Sequence, residues 1–138
     1  MPEYEYLEHT ADLKFRSYGK DFPQALANSA RALVNAIYGK TDGRPDDSRK
    51  FRFECGDDKK RIVHDFLSEI MYVSQYEGFI PLEYRMDYDG IDLEVAVSGR
   101  KYREDADQIL QEIKAITFHD MKVDVTEGEC VIEVLVDT

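Results

Sequence analysis

The sequence predicts an α+β protein with a mixed or largely antiparallel sheet and two main helices. Three observations carry this. Two long stretches in the first half repeat apolar residues at helical spacing. Most of the remainder alternates apolar and polar residues between turn dipeptides such as Asp89-Gly90 and Glu127-Gly128. The order of elements lacks the repeating βαβ rhythm of a doubly wound parallel sheet. With 138 residues, 43% of them hydrophobic, the chain has enough apolar material for a core, and without repeats or linkers residues 1–138 read as one domain.

Tyr4 to Leu7 and Leu13 to Tyr18 are predicted strands, the second placing Leu13, Phe15 and Ser17 on one side. Asp21 opens the first helix, with Pro23 in its first turn and Gln24 at the reciprocal capping position. Its apolar stripe includes Phe22, Leu26, Leu33 and Ile37, and Gly39 is placed to end it. After a polar loop from Thr41 to Ser48, Lys50 to Cys55 alternates as a strand. Gly56-Asp57-Asp58 introduces a second helix running to about Tyr76, with Ile62, Phe66, Leu67 and Ile70 on its buried side.

The second half is mostly strand. Pro81 to Tyr88 and Ile91 to Ser98 flank Asp89-Gly90, which predicts a two-residue hairpin turn. Glu104 to Gln111 reads as short helix or irregular chain. Ala115 to His119 and Met121 to Thr126 are predicted as separate strands, followed by a Glu127-Gly128 turn and a last strand from Val131 to Val136.

Eighteen basic against 29 acidic residues give a net charge of −11. That balance argues against a protein that grips nucleic-acid phosphates unaided, since such affinity comes from Lys and Arg displacing counterions. It argues equally against docking on an anionic membrane, and leaves cations or a basic partner protein as ligands. No run approaches the roughly 20 apolar residues that span a bilayer. The opening Met1-Pro2-Glu3-Tyr4-Glu5 is acidic where a signal peptide is basic, so a cytoplasmic protein is expected.

Cys55 and Cys130 stand in separate alternating segments without a CxxC motif, which predicts two reduced thiols. The acids of Asp87-Tyr88-Asp89-Gly90-Ile91-Asp92 have the wrong spacing for a calcium loop, and a hairpin turn is the simpler reading. His9, His64 and His119 are scattered, and no nucleophile elbow or glycine-rich phosphate loop accompanies them. Two features stand out from this background. One is the polar turn Glu8-His9-Thr10-Ala11-Asp12 between two strands; the other is the final strand, which ends on Asp137-Thr138. If the chain ends there, the Asp137 side chain and the Thr138 α-carboxylate supply hard oxygen donors of the kind divalent cations take.

These segments, together with Lys114-Ala115-Ile116-Thr117-Phe118-His119-Asp120-Met121-Lys122-Val123 and the helical Phe66-Leu67-Ser68-Glu69-Ile70-Met71-Tyr72, resemble the archease family. The resemblance covers essentially the whole chain in the same order. It implies an accessory protein rather than an enzyme, with an RtcB-type, GTP-dependent tRNA-splicing ligase as partner, whose guanylylation and multiple turnover it promotes. A chaperone-like role toward a tRNA methyltransferase is the alternative that the family implies. It also implies a divalent metal, calcium, held by Asp12, Asp137 and a backbone or terminal oxygen of Thr138. His9, Lys114 and His119 lie in the family motifs and are expected to brace the metal end or contact the partner. The chain departs from the family pattern at Leu13-Lys14, where Ile-Gly is usual, and at Gly99-Arg100, where Gly-Glu is common. Glu104 to Gln111 does not match, and the chain has no tryptophan.

Overall fold

The computed structural model describes residues 2–8 and 12–138. Seven strands and two helices follow in the order β1 (Tyr4–Leu7), β2 (Leu13–Gly19), α1 (Phe22–Tyr38), β3 (Asp47–Phe53), α2 (Lys59–Tyr76), β4 (Phe79–Tyr88), β5 (Leu93–Lys101), β6 (Ala115–Thr126) and β7 (Glu129–Asp137). The expected α+β class holds, but the strands divide into two antiparallel sheets, β1-β2-β7-β6 and β3-β5-β4. Both helices pack against strands of both sheets. The sheets' inner faces, through Phe15, Ile132, Val134 and Val136 on one side and Leu93, Val95 and Val97 on the other, join the helices in one buried cluster. In α1, 11 of 17 residues are buried, against 7 of 18 in α2, so α1 is the more enclosed helix. Neither helix is long and apolar enough to cross a membrane.

Both helices start where their caps place them. The Asp21 carboxylate accepts from the Gln24 N–H at 2.9 Å, while Gln24 Oε1 reaches back to the Lys20 N–H rather than to that of Asp21. Asp58 caps α2 by accepting from the Arg61 N–H. The chain leaves α1 through Gly39 at φ 77°.

Three boundaries differ from the sequence expectation, each for a local reason. β3 begins at Asp47 and ends at Phe53, because Asp47, Ser48 and Arg49 pair with Gly99, Ser98 and Val97 of β5. The β4–β5 hairpin closes at Tyr88↔Leu93, leaving a four-residue loop instead of a two-residue turn. There the Asp89 carboxylate accepts from the N–H groups of Ile91 and Asp92, at 2.8 and 2.7 Å, which pulls Ile91 out of the strand and into solvent. The two strands expected at 115–119 and 121–126 are one strand with a break. Pairing jumps from Thr117↔Leu135 to Lys122↔Glu133, and Asp120 takes φ 56° within the break.

Residues 102–114 form neither helix nor strand, yet they are firmly tied down. Arg100, 4% exposed, makes paired hydrogen bonds of 2.7 and 2.8 Å to Asp107 and a third to the Asp42 carbonyl. The Tyr102 N–H donates to the Gly78 carbonyl and the Leu110 N–H to the Ile37 carbonyl. Gln75 and the Ile113 backbone exchange hydrogen bonds in both directions, at 2.9 and 2.6 Å.

Candidate metal centre

Two of the acids singled out by the sequence stand at strand ends of the first sheet, Asp12 just before β2 and Asp137 at the end of β7. β2 and β7 pair antiparallel from Leu13↔Val136 onward, with Lys14 opposite Leu135. Continued one step past the paired residues, this register sets Asp12 against Asp137. Alternation puts both on the face that carries Lys14 and Leu135, away from the core. Asp12 is half-buried, Asp137 exposed and Thr138 half-buried.

On its other side β7 meets the start of β6 at Ala115↔Asp137, and the Lys114 N–H donates to the Asp137 carbonyl at 2.7 Å. The backbone of Asp137 is therefore held from the β6 side, while on the β2 side the pairing stops one residue earlier, at Val136. Neither Asp12 nor Asp137 has an ion-pair partner among the described residues, and their carboxylate oxygens are hard donors of the kind divalent cations take. Among the described residues no group of three or more His, Cys, Asp and Glu side chains is arranged to hold a metal. Two carboxylates would have to be supplemented by main-chain oxygens, including that of Thr138, and by water.

The other motif residues separate. His9 lies outside the described residues. Lys114 enters through its backbone, its side chain being exposed. His119 sits in the β6 break opposite the interior of β7, exposed, with Nε2 3.7 Å from Asp120. His64, in α2, stacks on Phe118 with ring centroids 4.4 Å apart and bonds Asp65 at 3.0 Å. Both cysteines are free, and burial pushes the Cys130 thiol up to about 11 and raises that of Cys55, so neither is set up as a nucleophile.

The sequence reading passed over the polar row next to the site. Glu5, Arg16, Glu133 and Lys122 come one from each strand of this sheet, each opposite the next. Arg16 Nε donates to Glu133 at 2.7 Å and its guanidinium also reaches Glu5, while Lys122 Nζ lies 3.7 Å from Glu133. Hydrogen bonding to Tyr18 and then to Glu133 raises the Arg16 pKa. The available signal was Glu133 itself, one acid within the apolar run Val131 to Val136. The row ties β1, β2, β7 and β6 together in register across the sheet.

Residues 4–138 match the Archease protein family. Archease of Methanosarcina mazei is 31% identical over 140 residues, covering 98% of this chain and 95% of that protein. Archease of Pyrococcus abyssi is 29% identical over 90% of this chain and 89% of its own length. Among solved structures, protein 1598 of Methanobacterium thermoautotrophicum superposes with a TM-score of 0.77 at 21% identity, all of both chains being covered. A Thermotoga maritima protein described as an archease and possible chaperone gives a TM-score of 0.65 at 22% identity, over 96% of this chain and 94% of its own. The two-sheet arrangement is thus a shared fold, and with a family match running from β1 to the final residue, the chain belongs to the archease family.

Proposed function

We propose that this chain is a non-catalytic, cytoplasmic accessory protein of tRNA splicing that activates an RtcB-type, GTP-dependent RNA ligase. In this reading it promotes the ligase's guanylylation and multiple turnover, and it binds a divalent cation, calcium, through Asp12, Asp137 and a main-chain oxygen of Thr138. What supports it is membership of the archease family together with the antiparallel pairing of β2 on β7, whose register, continued one residue past Leu13↔Val136, would bring Asp12 opposite Asp137. Hard oxygen donors of this kind suit calcium or magnesium. When bound, such an ion supplies a fixed positive charge at an acidic strand end. The chain's own part is to hold that end still: Lys114 fixes the Asp137 backbone, and the Arg16–Glu133 pair fixes the register beside it.

Activation requires that the chain bind one state of the ligase more tightly than another, because equal affinity for both shifts nothing. A net charge of −11 speeds encounter with an enzyme that presents basic surface to RNA, and keeps this chain off the RNA. The test is a multiple-turnover ligation assay. Asp12→Ala and Asp137→Ala should each abolish stimulation while the circular dichroism spectrum stays that of the parent. Full stimulation by either variant sinks the reading.

A second reading is a chaperone-like modulator of a tRNA methyltransferase, supported by the description of the Thermotoga relative as a possible chaperone. Gentle co-purification that recovers a methyltransferase and no ligase would favour it.

A further inference from the structure

Among the described residues eight large hydrophobic side chains are exposed, and four of them, Tyr72, Tyr76, Ile109 and Leu110, lie at the C-terminal ends of the two helices or on the segment that crosses them. Tyr72 and Tyr76 stand one turn apart on the outer face of α2, 51% and 61% exposed, with rings 5.6 Å apart. Ile109 and Leu110 are exposed in the 102–114 segment, which crosses the ends of both helices and is pinned to α2 at Gln75, next to Tyr76. Single exposed apolar residues are ordinary, whereas several gathered at one end of the fold mark an interaction surface.

The charge around this seam says what fits it. Glu69, Glu104, Asp105 and Glu112 are all exposed along it, and none is in an ion pair among the described residues; Asp107, by contrast, is spent on Arg100. Against them stand Arg103 and Lys114. A second copy of the chain would bring this acidic rim against its own like, in a protein that already carries −11. A partner with apolar side chains set among Lys and Arg meets both the seam and its rim.

The seam also runs directly into the metal end. Ile113 is held by Gln75, and the next residue, Lys114, donates to Asp137. A protein gripped along α2 and the 102–114 segment would have the Asp12–Asp137 end presented to it at a fixed distance.

We propose that the seam formed by Tyr72, Tyr76, Ile109 and Leu110 is the docking face for a basic-rimmed apolar surface of the partner protein. The proposal deepens the ligase reading and rests on it, with that ligase as the partner: docking is assigned to the seam, and action to the acidic strand end.

The test is titration of the wild-type chain, Tyr72→Ser/Tyr76→Ser, Leu110→Ser and Asp137→Ala against purified RtcB-type ligase, with multiple-turnover ligation measured in parallel. Aromatic anchors at the centre of an interface dominate its energy, so the tyrosine pair should weaken Kd at least about tenfold. Calcium titration of that variant should match the wild type. Asp137→Ala should bind the ligase as the wild type does while losing stimulation. Glu69→Lys/Glu112→Lys should slow association and flatten its salt dependence. If seam variants bind the ligase undiminished while the wild type stimulates, the docking proposal falls and the ligase reading stands. If the wild type neither binds nor stimulates, both fall. Dimerisation of the wild type through these tyrosines, seen by sedimentation velocity, overturns the docking proposal in favour of a second copy.

Discussion

Arg16 and Glu133 face each other across β2 and β7, the acid 5% exposed and the arginine side chain 35% exposed. An acid in that position is tolerated because a charged donor meets it and Lys122 neutralises it from the next strand. Arg16→Met should destabilise the protein by about 2 kcal/mol. That is below the 3–5 typical when one member of a fully buried pair is removed, because Arg16 is part-exposed and Lys122 remains. Urea unfolding checks it, with the midpoint shifting at constant slope.

Asp107 responds to acid. The Arg100 guanidinium holds its carboxyl down to about 2. A pKa lower in the folded than in the unfolded chain contributes stability above about pH 4, which is lost as pH falls toward 2. The wild type should therefore lose stability across this window more steeply than Asp107→Asn does. At pH 7 that variant should cost about 3 kcal/mol, because it leaves Arg100 buried without a counter-charge. Unfolding curves at pH 2, 3, 4 and 7 read both effects.

Gly99 has no room for a side chain. A Cβ there would run into the Ile80 carbonyl oxygen and lie 2.7 Å from a Phe79 ring carbon. Gly99→Ala should cost more than about 2 kcal/mol, since an overpacked site yields only by moving the strands themselves. Thermal unfolding by calorimetry measures it. A variant as stable as the parent would mean that β4 and β5 separate more easily than their packing implies.

Calcium should raise the melting temperature of the wild type and leave that of Asp137→Asn unmoved. With two carboxylates at the strand end, a Kd of roughly 10⁻⁴–10⁻³ M, that of weak calcium modules, is expected. At a hundredfold excess over Kd the ion should add about 2.7 kcal/mol. A chelator should reverse the shift, and magnesium competition measured by calorimetry reads the selectivity.

Local signals carried most of the fold. The Asp21 and Asp58 caps are visible in the sequence because a cap is a short-range bond between neighbours. Glu127-Gly128 closes its hairpin as two residues, with Gly128 at φ 79°. Asp89-Gly90 carries the same kind of signal and gave a longer loop, because the Asp89 side chain competes for the backbone N–H groups that a tight turn would use. The split into two sheets depends on which distant strands pair, such as β2 with β7, and no neighbouring residue encodes that.

For the candidate site, the residues came from motif resemblance and their adjacency from strand register. Asp12 and Asp137 are 125 positions apart, and it is the β2–β7 ladder, ending at Leu13↔Val136, that brings their two strand ends to the same edge. The docking seam was legible in part. Tyr72 and Tyr76 fall outside the apolar stripe of α2, but the way the 102–114 segment folds over the helix ends depends on the Arg100–Asp107 pair and on Gln75.

The break in β6 works as a phase shifter. Ile116 before it and Met121 and Val123 after it all face inward, although 116 and 121 differ by an odd number. Strict alternation would have turned the second half of the strand inside out. The insertion restores the parity, so the half that meets Asp137 and the half that forms the hairpin with β7 are set independently. Deleting one residue from 118–120 would invert one half and leave the other untouched, which separates the strand's task at the acidic end from its task in the core.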